Sequence, residues 1–440
     1  MSNSDARSRA RLLVVLVVLL ASGAGLSGLG GSAHASSAPP DIHAVRTWNG
    51  LAFATVRATR ASDADSARLY AILNAAMYDA VNGLASRRRG PALVPGRGPR
   101  PADAQAAAVA AAHAVLTALD TDPARLATYN DRLAADLALL RPGHSRDLGV
   151  AWGRSVGERA VAARADDGSR PVESQPAGSG PGVFRAAWSG VQYRAVRPFA
   201  VADPGVYEPG PPPALDSLDY AAAFAEVSLL GSAAIPAPDK QATFQYWSLP
   251  AGSVQPPGEW LAIALEVTDS RRLGLADQTR LAALLTMAEA DASVTTVLTK
   301  FLHRHWRPTT AIVEADTDGN PLTSPDPNWS ARAGSPGGTP EWVSGHSSFS
   351  AAAATVLAGF FCDDGIAFTH VTDSSGGLAR TYPGFSAAAA EAGRSRVFGG
   401  QHFEFSNQAG LGIGRGVAGE VLATSLLPEH GPTHHGACPL

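Results

Sequence analysis

With 440 residues, of which 45% are apolar and 17% charged, the chain has the means to bury one large core or two smaller ones, and it lacks the composition of a disordered protein. A formal net charge of -4 excludes the global basic field of a nucleic-acid binder, so any anion site has to come from a local cluster of cations.

At the N-terminus, Arg7, Arg9 and Arg11 precede the apolar run Leu12 to Leu20, followed by small residues and Ala33-His34-Ala35. This is the pattern of a cleaved signal peptide over 1–35, and it predicts an extracellular mature chain beginning at Ser36. The apolar run is well short of the roughly 20 residues of a spanning helix, and no other segment reads as long and apolar enough, so no membrane association is expected after cleavage. Export gives Cys362 and Cys438 an oxidising setting in which one disulfide would tie the C-terminal tail to the helix that follows Ser344-Gly345-His346; two free thiols are the alternative.

From there helical periods dominate and strand signals are scarce, which predicts an all-α protein. Leu69, Ile72, Leu73 and Ala76 form one helical face, and Leu126, Tyr129, Leu133, Leu137 and Leu140 another, started by Asp122 before Pro123. Further helices are expected near 103–120, 146–165, 216–233, 258–269, 276–303, 347–361, 383–396 and 406–426. The Ala-rich stretch 104–114 reads as close helix packing. Irregular stretches at 167–215 and 314–342, rich in Gly, Pro and Asp, are too long to be plain connectors. The expected organisation is an N-terminal helical region 36–215, a C-terminal helical region 216–427 and a tail 428–440, with no tandem repeat.

Three clusters carry chemistry. In "LTKFLHRHWRPTTAI", Lys300 and Arg307 are seven residues apart, so a continuous helix would present both on one face, with Arg304 beside them and Pro308 ending or kinking the helix. Trp306 points to burial, and buried cations require an anion; a solvated basic helix end is the alternative. In "VSGHSSFSAAAATVLAGFF", Ser344 is placed to cap a helix, Gly345 lets the backbone approach a ligand, and His346 stands where free N–H groups favour an anion. In "GRSRVFGGQHFEFS", Arg396 and His402 would lie about 240° apart on a continuous helix, so they share a centre only if the chain breaks at Gly399-Gly400. Three cations, a hydroxyl, backbone donors and two histidines together describe a pocket for a tetrahedral or trigonal oxyanion.

In order and spacing, Lys300-x6-Arg307-Pro308, Ser344-Gly345-His346 and Ser395-Arg396-x5-His402 resemble the three-part signature shared by vanadium-dependent haloperoxidases and the type-2 phosphatidic acid phosphatase superfamily. The flanking "AMYDA" (76 to 80), "WRPTTAI" and "DPNW" look like the secreted bacterial haloperoxidase-related branch. The resemblance implies an α-helical bundle in which Lys300, Arg307 and Arg396 neutralise the oxygens of vanadate or phosphate, while Ser344 and the Gly345 N–H add hydrogen bonds. It implies further that His402 is the axial vanadium ligand, or the phosphorylated nucleophile in a phosphatase, and that His346 is the acid/base. The activity implied is oxidation of halide by hydrogen peroxide, with small-molecule partners: peroxide, halide and an organic acceptor. The alternatives are hydrolysis of a phosphate ester and a non-catalytic protein with a relic pocket.

Two positions depart from that pattern. Val343 stands where the family has Pro, which loosens the backbone entry to the helix, and Ser406 where it has Asp, which leaves His402 without an orienting carboxylate at that place; Glu404 and Asn407 are the nearby substitutes. Asp316-Thr317-Asp318-Gly319-Asn320 starts like a calcium loop, but Pro321 replaces the required Gly, so a plain turn is expected. His430, His434, His435 and Cys438 read as a solvated tail. His303 is the candidate to support the site from behind, and Asp291 a candidate partner for one of its arginines.

Overall fold

A computed structural model describes residues 43–374 and 376–430; the expected signal peptide, His434, His435 and Cys438 lie outside them. The N-terminal half contains α1 (Ala44–Thr59), α2 (Asp63–Asn82), α3 (Ala104–Leu119), α4 (Pro123–Leu139), α5 (His144–Ala163) and a minimal hairpin of β1 (Ser174–Gln175) and β2 (Trp188–Ser189). There follow α6 (Leu218–Leu230), α7 (Pro238–Trp247), α8 (Gln255–Ser270), α9 (Leu275–His303), α10 (Pro308–Val313), α11 (Gly345–Phe361), the antiparallel pair β3 (Phe368–Val371) and β4 (Ala379–Tyr382), α12 (Phe385–Phe398) and α13 (Glu404–Thr424). The protein is all-α apart from these two short sheets. Helices α1, α7 and α10 were not legible in the periodicity, α10 because its six residues are too few to show a period.

Short polar side chains start many of these helices. Ser62, Asp103, Asp122, Ser217 and Ser344 each accept a hydrogen bond from a first-turn backbone N–H, with Pro123 at the first position of α4. The core is organised around α9, packed against α2, α8, α11 and α13. By length and composition this 29-residue helix is apolar enough to cross a bilayer, which corrects the expectation that no segment after the leader would be; 94% of its most apolar window is buried by neighbouring helices instead.

Glycine sets two of the contacts. Along α5, Gly149, Gly153 and Gly157 lie on the Asp103, Ala107 and Ala111 carbonyls, and a Cβ there would stand 2.4, 2.1 and 2.6 Å from those oxygens. This is the close packing that the Ala-rich α3 permits. In the same way Gly410 and Gly414 of α13 sit on the Ser344 and Ser348 carbonyls of α11, where a Cβ would stand at 2.5 and 2.3 Å. Backbone contact between α11 and α13 brings the start of one helix beside the start of the other.

The irregular stretches are tied down by buried carboxylates. Asp291, fully buried on α9, accepts the backbone N–H groups of Phe199, Ala200 and Val201 at 2.6, 2.8 and 2.9 Å; it holds the 167–215 stretch and bonds no site arginine, contrary to expectation. Asp318 accepts from Asn320 N and Thr323 Oγ1, making the plain turn expected there.

Glu289 of α9 has no such partner. It is fully buried, neither carboxylate oxygen is hydrogen-bonded, and burial pushes its carboxyl well above its ordinary value of 4.5, so it folds as the neutral acid. The native state therefore holds a proton that the unfolded chain releases, and stability falls as pH rises above the unfolded value. Relative to Glu289→Gln, the wild type is expected to lose up to about 1.4 kcal/mol per pH unit in that window. Urea unfolding of both proteins from about pH 4 to pH 7 measures this, and parallel curves would show that Glu289 ionises freely.

Candidate active site

Lys300 lies in the last turn of α9. The helix stops three residues later because Arg304 takes the left-handed conformation, φ 48°, and its N–H returns to the Lys300 carbonyl at 3.0 Å. Arg307 is therefore not a second residue on the same helical face; it is the N-cap of α10, whose first residue is Pro308. The chain reversal still brings it to the same centre. Lys300 and Arg307 are both buried. Lys300 Nζ donates to the Pro340 carbonyl, and Arg307 donates from Nε to Thr339 O at 2.8 Å and from Nη1 to Gln401 O at 2.6 Å and His402 Nε2 at 3.0 Å. Arg304 turns outward to the Pro176 carbonyl and His303 bonds Glu208 at 2.9 Å, so neither belongs to the site.

Arg396 and His402 are joined through the break between α12 and α13. Gly400 has φ 72°, and a Cβ on it would stand 2.7 Å from the Gly231 carbonyl, so only glycine fits the turn. Beyond it, His402 Nδ1 meets Glu341 Oε1 at 3.0 Å and Ser406 Oγ at 3.2 Å. Glu341 is fully buried and also receives Phe403 N–H at 3.0 Å and His305 Nδ1 at 3.3 Å. Burial alone would raise its carboxyl, but the hydrogen bonds from His305 and His402 hold it well below the ordinary carboxylate range. These partners fix the tautomer: the proton sits on Nδ1, facing the carboxylate, and Nε2 keeps its lone pair toward the cations.

Glu341 is thus the orienting carboxylate that the sequence pattern lacked at Ser406. The substitutes considered do other work: Glu404 pairs with Arg394 and Asn407, and Asn407 accepts from Ser347 Oγ at 2.8 Å. Nor does Val343 loosen the entry to α11, for it is fully buried and the following Ser344 N–H donates to Ser406 O. The signal available in the sequence was a lone acidic residue at the end of an irregular stretch, directly before the apolar Trp342-Val343.

Ser344 caps α11 and accepts from Ser347 Oγ at 2.9 Å. His346, half-buried in the first turn, has Nε2 3.4 Å from the Ser248 carbonyl; burial, and then Arg396 and His402, push it well below its usual value. Arg396 donates from Nη2 to Gln401 Oε1, while its Nε and Nη1 are buried with no partner. Burial and mutual repulsion with Arg307 push Arg396 down to about 9, and burial with Arg307 beside it pushes Lys300 well below the lysine range. Against three cations stand Glu341 and Asp63, whose field acts on Lys300. The two unpartnered Arg396 donors need a group the protein itself does not supply, and His402 Nε2 meets only the Arg307 guanidinium.

The comparisons follow this geometry. Residues 280–427 match the family model for the VCPO second helical-bundle domain. The chain is similar in fold to the crystal structure of a bacterial vanadium-dependent iodoperoxidase, with a TM-score of 0.72 and 21% identity over 88% of this chain and 98% of that one. It is also similar to a holo-type bacterial vanadium-dependent chloroperoxidase, with a TM-score of 0.62 and 17% identity over 82% and 92%. No curated protein matches the sequence. The residues gathered here fit an oxyanion group: Arg396 has two buried, unpartnered guanidinium donors, and the His402 imidazole and the first turn of α11 lie in the same cluster.

The bundle is completed by the loop before α11. Gly337 has φ 95°, and a Cβ on it would stand 2.7 Å from the Arg307 guanidinium carbon. Gly337→Ala is expected to dislodge Arg307 and weaken binding of sulfate by about 1.5 to 3 kcal/mol, the loss of one charge-assisted hydrogen bond, with the fold intact by circular dichroism. Calorimetry gives the affinity, and an unchanged value would remove the Gly337 contact from the site. Burial, and then the neighbouring cations, depress Lys300 and His346; a bound anion offsets the cations and raises their affinity for protons. Sulfate, which does not titrate near neutrality, should bind with net proton uptake, seen as heats that differ between buffers of different ionisation enthalpy.

Proposed function

We propose that the chain is a secreted, vanadate-dependent haloperoxidase-like enzyme. The observation that carries the reading is His402, whose Nδ1 is held by the buried Glu341 carboxylate so that Nε2 faces Arg307 at 3.0 Å within the cluster of buried cations. Likeness to the iodoperoxidase and chloroperoxidase folds supports it. His402 would ligate vanadate through Nε2, with Lys300, Arg307, Arg396, Ser344 and the Gly345 N–H holding its oxygens. When bound, vanadate supplies a Lewis-acidic centre that activates peroxide.

The protein's own part is binding and proton movement. The reaction is X⁻ + H2O2 + H⁺ → HOX + H2O: the halide loses two electrons, the O–O bond breaks, and one proton must reach the departing oxygen. His346 is neutral in the resting site because burial and Arg396 disfavour its charged form; with Nε2–H turned to the Ser248 carbonyl, its other ring nitrogen is able to take a proton from incoming hydrogen peroxide and return it to the leaving hydroxide. Glu341 keeps His402 in one tautomer and raises the basicity of Nε2.

Purified protein assayed with and without added vanadate, on iodide, bromide and chloride with peroxide and separately on a phosphate monoester, tests the reading. Vanadate-dependent halide oxidation is expected; monoester hydrolysis through a phosphorylated His402, or no turnover in either assay, would replace it. His402→Ala should lose vanadate retention, whereas His346→Ala should bind vanadate and lose about 10²- to 10⁴-fold in kcat. Glu341→Gln should weaken vanadate binding about 10- to 100-fold, read by equilibrium dialysis; retention at wild-type affinity would exclude the orienting role.

A further inference from the structure

A second concentration of positive charge lies in the loop between α2 and α3. Arg87, Arg88, Arg89 and Arg97 line a cleft of about 590 Å³, closed on its other side by Pro428, Glu429 and His430. The loop is fixed in place. Asp79, buried at the end of α2, accepts the successive N–H groups of Ala92, Leu93 and Val94 at 2.7, 2.8 and 2.7 Å, and Asn82 bonds both the N–H and the carbonyl of Arg89. Its other edge is tied to the chain after α13, through Gly90 N–H to Leu427 O and Glu429 N–H to Arg88 O. The arginine side chains therefore project from a rigid frame, and a ligand would find them already placed.

Among the described residues their charge is matched only in part. Glu429 is the acidic residue lining the cleft, and it is committed to Arg88 at 2.5 Å. Even so, Arg88 Nε is buried without a partner. Among the described residues the side chains of Arg87, Arg89 and Arg97 form no ion pair or hydrogen bond. Arg87 and Arg89 also line an adjoining hollow with Arg280, whose guanidinium is pushed down to about 10 by burial and then by Arg89. Guanidinium forks match the oxygens of phosphate and sulfate, and one such group would leave several of these forks unmatched.

We propose that this cleft is a second anion site, separate from the oxyanion pocket, that takes an oligoanion carrying several phosphate or sulfate groups. The separation follows from α9: Arg280 and Lys300 are twenty residues apart on that helix, about 30 Å, with the cleft at one end and the pocket at the other. The source is either a free oligoanion or a segment of a longer polyanion.

The test is isothermal titration of the purified protein with inorganic tripolyphosphate at low salt, repeated with long-chain polyphosphate. Saturable binding is expected in the wild type and in Arg396→Ala, and a loss of about tenfold or more in Arg87→Ser/Arg97→Ser, with the affinity falling as salt is added. Arg87 and Arg97 are exposed, so the double variant should unfold thermally like the wild type; Arg97→Gln is the milder companion. Tighter binding of the long chain per site identifies a polymer segment, and equal binding a free oligoanion. Binding that survives the double substitution, or that disappears in Arg396→Ala alone, overturns the proposal.

Discussion

One buried carboxylate organises the pocket. Glu341 accepts from His402, His305 and the Phe403 N–H, and so joins the loop before α11, the turn after α9 and the entry to α13 at a single point. A fully buried carboxylate is tolerated only where donors replace its hydration. Here the donors are the groups whose position matters, so satisfying Glu341 and aiming His402 are the same event. The Glu341 carbonyl also takes the Ser406 hydroxyl at 3.2 Å, which gives the serine at that place a structural use.

Around this point the protein gathers positive charge that it does not itself neutralise. Lys300, Arg307 and Arg396 come from three different helix ends; burial disfavours all three charges, and Arg307 adds its repulsion at Lys300 and Arg396. Such an arrangement costs folding energy that a bound anion offsets. Glycine makes the convergence possible: Gly400 turns the chain between α12 and α13, Gly337 leaves room for the Arg307 guanidinium, and Gly410 and Gly414 let α13 lie on the backbone of α11. The long helix α9 serves as the frame, apolar enough for a bilayer but enclosed by other helices.

Fold and site differ in what they ask of the chain. Apolar periodicity and caps suffice for the bundle, and hence a fold likeness is evident to structures only 17% to 21% identical. The chemistry depends on a few side chains whose partners come from distant segments, and the loops at 167–215 and 314–342 supply the ties that no helical period encodes.

Much was legible in the sequence because it is local. The all-α class, the Ser344 cap, the break at Gly399-Gly400 and the close packing at 104–114 all follow from neighbouring residues and their spacing. Spacing also named Lys300, Arg307, Arg396, His346 and His402 as a set, though it gave the wrong route for Arg307, which arrives by a chain reversal at Arg304 and not along a helical face. Tertiary structure alone decided the rest. That His402 is oriented by Glu341, sixty-one residues away, that His305 and not His303 stands behind it, and that Asp291 holds a loop are facts of long-range contact. A carboxylate in sequence carries no mark of which distant donor will face it, because that is settled only when helices pack and each buried charge must find a partner.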